Sequence, residues 1–242
     1  MIRVDGLTKR YGGLVALREF SLDMPSGRIA ALVGPNGAGK TTALQLVVGL
    51  LRPDTGRVEV CGFDVHRQGL EAKRVLAFLP DQPFLYEQLT VAELLGFVSG
   101  MYRLAPDRLA TRSAMLLQQF GMQAHLGRRI GQLSYGMKSR LALVASLLRD
   151  PKVLVMDEPF FGLDPQSLRS VKRLLREETA AGLTVLLSTH QLEVVEDLAD
   201  WIVILDQGSM LAAGTLADFR SRYGDAHLED VFFRLTGQAQ TS

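Results

Sequence analysis

The chain has 242 residues, an apolar content near the globular average and a formal net charge of +1. That length supports one well-filled α/β domain, and the composition argues against disorder, collagen and coiled coil. The near-neutral balance gives no electrostatic footprint for nucleic acid and no reason for adsorption to an anionic membrane by charge alone. Cys61 is the single cysteine, which excludes an internal disulfide and fits a reducing compartment; its plain reading is a small, partly buried side chain.

Two short strands are expected at Ile2–Val4 and Ala16–Leu22, around the turn Gly12-Gly13. An apolar run from Arg28 to Val33 reads as a buried strand that ends in a glycine cluster. Lys40 to Leu50 then reads as a helix, with Leu44, Val47, Val48 and Leu51 at helical spacing. Strands follow at Arg57–Cys61 and Val75–Leu79, the second stopped by Pro80. From Thr90 to Leu126 the periodicity is helical, with Pro106 placed where a helix can start. A further helix is expected after Ser134, ended by Pro151, and a strand at Val153–Met156. Next come a helix over Pro165–Ala181, a strand at Leu183–Leu187 and a helix over Gln191–Leu198. A hairpin of Trp201–Leu205 and Met210–Ala213, turned at Gln207-Gly208, and a short helical tail close the chain.

Strands alternating with helices predict an α/β core with a largely parallel sheet, in which ligands bind where strands end. The N-terminus lacks the apolar run of a signal peptide, and no stretch reaches the roughly 18 to 20 apolar residues that span a bilayer. If the protein works at a membrane, another chain has to take it there.

Gly34-Pro35-Asn36-Gly37-Ala38-Gly39-Lys40-Thr41 matches G-x-x-x-x-G-K-[ST] in full. Such a loop wraps a phosphate chain with inward N–H groups, and the glycines allow the turn and the close approach. The helix that follows offers its N-terminal N–H groups to the anion. Lys40 is expected between the β- and γ-phosphates, and Thr41 on Mg²⁺ through its hydroxyl. The alternatives are a ligand-free glycine turn and a dinucleotide fingerprint; the order G-x-x-G-x-G speaks against the latter.

Val153 to Met156 runs into Asp157 and Glu158. The first carboxylate is placed to hold Mg²⁺ and the second to polarise an attacking water. By itself an Asp-Glu pair at a strand end is usually a solvated edge; beside a full phosphate loop the catalytic reading is favoured. His190, after Ser188-Thr189, follows a third buried strand expected beside the other two, which makes it a candidate donor to the γ-phosphate.

These residues resemble, in order and over nearly the whole chain, the ATP-binding cassette family, the motor subunits of ABC transporters. The resemblance implies the P-loop NTPase fold of the ABC type: a mostly parallel sheet core, an antiparallel β-subdomain, and a helical subdomain over roughly residues 85–135 of a single domain spanning 1–242. Tyr11 resembles the aromatic that stacks on adenine. Residues 34–41, with Thr42 next to them, match Walker A, Val153–Glu158 match Walker B, Leu163-Asp164 resembles the D-loop and His190 the switch histidine. The signature L-S-G-G-Q here reads Leu133-Ser134-Tyr135-Gly136-Met137. Tyr135 and Met137 depart from it, and both are expected to face away or pack locally. Ser134 and Gly136 keep the hydroxyl and the close backbone N–H that meet the ATP of a partner subunit, although the segment also reads as a plain helix N-cap. In the Q-loop, Leu79-Pro80-Asp81-Gln82-Pro83, either Asp81 or Gln82 is the candidate toward Mg²⁺.

The resemblance further implies ATP and Mg²⁺ as ligands, a homodimer or heterodimer of nucleotide-binding domains when ATP is bound, and a separate integral-membrane permease. It implies no nucleic-acid partner, and a cytoplasmic location, peripheral on the inner face of the membrane. Phe84–Thr90 and the ending Leu228–Gly237 are similar to cassettes that serve exporters. Rival readings are a soluble ATPase acting on ribosomes or DNA, which would carry two cassettes or long coiled coils, and a regulatory nucleotide binder without turnover, against which Glu158 and His190 argue.

Overall fold

The computed structural model describes residues 1–82, 84–224 and 227–237; Pro83 of the Q-loop segment lies outside them. Among the described residues the strands form two sheets. The first is antiparallel, in the order β2 (Leu14–Met24), β1 (Ile2–Tyr11), β4 (Thr55–Val60), β5 (Phe63–Asp64). The second runs β10 (Ser209–Gly214), β9 (Trp201–Asp206), β3 (Ile29–Val33), β8 (Thr184–Thr189), β7 (Val153–Asp157), β6 (Leu76–Leu79). All its neighbours are parallel except the β9–β10 hairpin. The expected mostly parallel core with an antiparallel β-subdomain is therefore present.

The central strands β3, β7 and β8 are buried along their length and largely apolar because both faces are covered. Side chains on a strand alternate between faces. Accordingly Val153 and Val155 of β7 join one core while Leu154 and Met156 join the other. The first core lies between the two sheets and contains Leu44 and Val47 of α1 (Lys40–Val47) with Ile2, Leu7 and Phe20. The second lies under helices α3 (Val91–Tyr102), α4 (Pro106–Gln119), α5 (Tyr135–Leu147), α6 (Pro165–Ala180) and α7 (Leu192–Leu198).

Local chemistry sets many boundaries. Thr90 and Glu93 form a capping box at the start of α3, and Pro106 and Pro165 occupy first-turn positions of α4 and α6. The stretch expected as helical from Thr90 to Leu126 is broken where Arg103 adopts a left-handed conformation, and it continues beyond α4 only as short 3₁₀ turns. The helix expected to reach Leu50 ends at Val47, before Gly49 at φ 72°. The tail is two helices, α8 (Leu216–Tyr223) and α9 (Leu228–Thr236). Strand β5 and helix α2 (Gly69–Val75) were not expected from the sequence. Helix α2 buries only Ala72, so it has no apolar periodicity to read. Cys61 is half-buried with its Sγ 2.9 Å from Met1 Sδ, and burial pushes its thiol pKa up. Among the described residues no helix is long and apolar enough to cross a membrane.

Candidate functional site

Four parallel strands deliver the candidate residues to one end of the sheet. Gly34 follows β3, Asp157 ends β7, His190 follows β8 and Asp81 comes two residues after β6. Because β8 lies between β3 and β7, the histidine, the carboxylates and the glycine loop are neighbours. A cleft of about 840 Å³ opens there. Its lining includes Tyr11, Asn36, Gly37, Ala38, Gly39, Lys40, Thr41, Thr42, Asp81, Asp157 and Glu158. Of the two Q-loop candidates Asp81 lines the cleft and Gln82 does not.

The glycines of the loop are there for space as well as for conformation. A Cβ on Gly34 would sit 2.3 Å from the Leu205 carbonyl oxygen, and one on Gly39, at φ 101°, 2.5 Å from that of Ala16. Gly39 is the N-cap of α1, and no side chain caps that helix or places an acid in its first turn. The helix start is thus left to an anion. Lys40 is buried and donates to the carbonyl oxygens of Gly34 at 2.6 Å and Pro35 at 3.1 Å. Burial lowers its pKa from the ordinary lysine value, against the opposing pull of Glu158 and Asp157. Gly34 and Pro35 act through these carbonyls and lie outside the cleft lining.

Asp157 is buried and accepts a short hydrogen bond from the Ser188 hydroxyl. The Glu158 N–H donates at 3.1 Å to both the Ser188 hydroxyl and its carbonyl oxygen. Glu158 takes φ 46°, a conformation rare for a side chain of its size, held by this pair of bonds. Its Oε2 lies 2.9 Å from His190 Nδ1. The Asp81 carboxyl is pushed above the usual aspartate range, by burial first and then by Asp157 and Glu158. Tyr11 is half exposed at the cleft mouth, with the Lys9 ammonium 5.6 Å from its ring centre.

Several groups in this region escaped the sequence reading, among them Arg18, Ser188 and Gln207. Ser188 holds the Asp157 carboxylate and the Glu158 backbone N–H, yet its only sequence signal is its place before Thr189-His190. Gln207, at φ 45° in the β9–β10 turn, lines the cleft from a segment read only as a hairpin. Conversely, Ser134 and Gly136 lie outside the cleft. Ser134 caps α5, its oxygen accepting the Met137 N–H at 3.3 Å.

The arrangement is a glycine loop with a buried lysine, faced by acid groups, and the comparisons with known proteins give it a family. The sequence pattern of the family described as ABC transporter matches residues 17–161. The chain belongs to the ABC transporter family. It is 39% identical over 238 residues to the daunorubicin resistance ATP-binding protein DrrA3 of Streptomyces coeruleorubidus, covering 98% of this chain and 75% of that one. It is 35% identical over 236 residues to the linearmycin resistance ATP-binding protein LnrL of Bacillus subtilis (strain 168), with the same two coverages. A solved ATP-binding subunit of an ABC transporter superposes with a TM-score of 0.92 at 32% identity, over 97% of this chain and 99% of its own. The chain is thus an ATP-binding, ATP-hydrolysing subunit of the ABC transporter type.

Proposed function

We propose that this chain is the motor of an exporter, working as a pair and driving a separate membrane subunit. The observation that carries the reading is the split of the chemistry. Lys40, Asp157 and Glu158 line one cleft, with His190 beside it against Glu158, while Ser134 and Gly136, at the start of α5, lie outside it. One chain holds a phosphate site without its signature, and pairing head to tail supplies the missing half to each. The unit proposed is a single cassette over 1–242 with a helical subdomain at roughly 85–135.

In this reading Tyr11 stacks on the adenine, and residues 34–42 hold the phosphates by loop N–H groups, the start of α1 and the Lys40 ammonium. Glu158 polarises the attacking water and His190 contacts the γ-phosphate. Among the described residues no three His, Cys, Asp or Glu side chains are grouped to hold a metal. That fits Mg²⁺, which takes one or two protein carboxylates and completes its shell with phosphate oxygens and water. Thr41, Asp157 and Asp81 would hold the ion, which neutralises phosphate charge when bound.

For the membrane subunit the reading offers an apolar groove of about 410 Å³, between the Q-loop segment and α3. Its walls include Phe84, Tyr86, Phe97, Met101 and Tyr102, all exposed. Contiguous exposed apolar surface of this kind marks protein contacts. The cytoplasmic, peripheral placement follows from that docking. Export is inferred from the resistance functions named for the relatives. The test is Glu158→Gln, which keeps the shape of the side chain and removes the base. It should bind ATP, lose nearly all hydrolysis and elute as a dimer with ATP and a monomer without. Parental turnover, or no ATP-dependent change in size, defeats the reading.

A further inference from the structure

Tyr135 stands where the family signature has glycine, and its contacts are ones that glycine cannot make. Its hydroxyl donates to the Asp81 carbonyl oxygen at 3.3 Å. Its ring meets Phe161 edge to face, with centroids 6.4 Å apart and an interplanar angle of 87°. It also covers Gly162, at φ 69°, where an added Cβ would lie 2.9 Å from two ring carbons. The narrow gap beneath it is lined by Pro80, Asp81, Glu158 and Pro159 among others. One side chain on the first turn of α5 therefore touches both segments that carry cleft carboxylates: the Asp81 backbone, and the loop that leaves Glu158.

We propose that Tyr135 is a positioning residue that straps the Asp81 segment and the 158–163 loop to the start of α5. Each chain's own carboxylates then move with the helix end, Ser134 to Gly136, that it presents outside the cleft. This rests on the reading of Asp81 and Glu158 as working groups of the cleft. The physical basis is that an edge-to-face aromatic pair and a hydrogen bond hold a separation and an angle, whereas glycine at this position would leave the two segments free to shift. Displacements of about 1 Å in positioned groups cost large factors in rate.

The test uses Tyr135→Ala, which keeps the helix start, and Tyr135→Phe, which keeps the ring on Phe161, in the full chain. Three quantities are read: kcat, the apparent KM for Mg²⁺ at saturating ATP, and the Kd of trinitrophenyl-ATP without Mg²⁺. Tyr135→Ala should lower kcat about tenfold, equivalent to about 1.4 kcal/mol, and raise the Mg²⁺ KM, with the metal-free nucleotide Kd unchanged. Tyr135→Phe should recover most of kcat, and Phe161→Ala, which loosens the strap from its other side, should reproduce the kcat loss. Parental kcat and Mg²⁺ KM in Tyr135→Ala would overturn the proposal. So would a metal-free Kd that weakens in step with kcat, since that marks a general loss of structure. Undiminished hydrolysis by Lys40→Ala, run alongside, would instead defeat the reading of the cleft.

Discussion

Removing one buried oxygen, in Ser188→Ala, tests how the carboxylates are held. Ser188 is fully buried, and its hydroxyl donates to Asp157 while accepting the Glu158 N–H. The Glu158 N–H keeps a second acceptor in the Ser188 carbonyl, so its loss is partial. The bond to the buried Asp157 carboxylate has no replacement, and a hydrogen bond to a charged group contributes about 1.5–3 kcal/mol. A domain of this size loses about 2–4 °C of melting temperature per kcal/mol, so a fall of roughly 3–12 °C is expected. Mg²⁺-dependent ATP hydrolysis should also fall, because Asp157 can then turn away from its working position. The assay is thermal unfolding of the nucleotide-free protein beside steady-state ATPase. Ser146→Ala is the control, since it loses only a bond to the Ala142 carbonyl of its own helix. If Ser188→Ala melts like the control and hydrolyses ATP at the parental rate, the reasoning about the buried pair is wrong.

Asp81→Asn should raise the melting temperature of the nucleotide-free protein at neutral pH. Folding raises the Asp81 pKa, so ionised Asp81 disfavours the folded state above that raised value, and the penalty disappears below the ordinary aspartate pKa. A melting series against pH should show the Asn–Asp difference closing as pH falls; a difference that widens instead contradicts the assigned sign. Gly136→Asp should prevent ATP-dependent dimerisation in a Glu158→Gln background, by bulk and negative charge near a phosphate. Gly136→Ala serves as the folding control, because its Cβ would lie 3.6 Å from the Gly162 carbonyl oxygen, an ordinary contact. Size-exclusion chromatography with ATP decides it, and a normal Gly136→Asp dimer removes Gly136 from the composite site.

What the sequence determined by itself was the chemistry that lies within a few residues of chain. The loop from Gly34 to Thr41 is legible because the turn, the close approach and the helix start are all local demands. The carboxylates at the end of β7, the cap at Ser134, the proline start at Pro106 and the helix from Pro165 were legible for the same reason. The family resemblance then supplied the order of the motifs, though Asp81 and Gln82 stayed undecided. Only the tertiary structure brought Asp81 rather than Gln82 to the cleft, because that depends on how the chain leaves β6 beside β7. Only the register of β7 on β8 set Asp157 opposite Ser188. Only the packing of α5 against the loop after Glu158 gave Tyr135 its partners, Phe161 and the Asp81 carbonyl. Each of these contacts joins residues at least 26 positions apart, the shortest being Tyr135 with Phe161. No local preference specifies such a pairing; it is decided when both faces of the sheet are buried and the strands lock into one order.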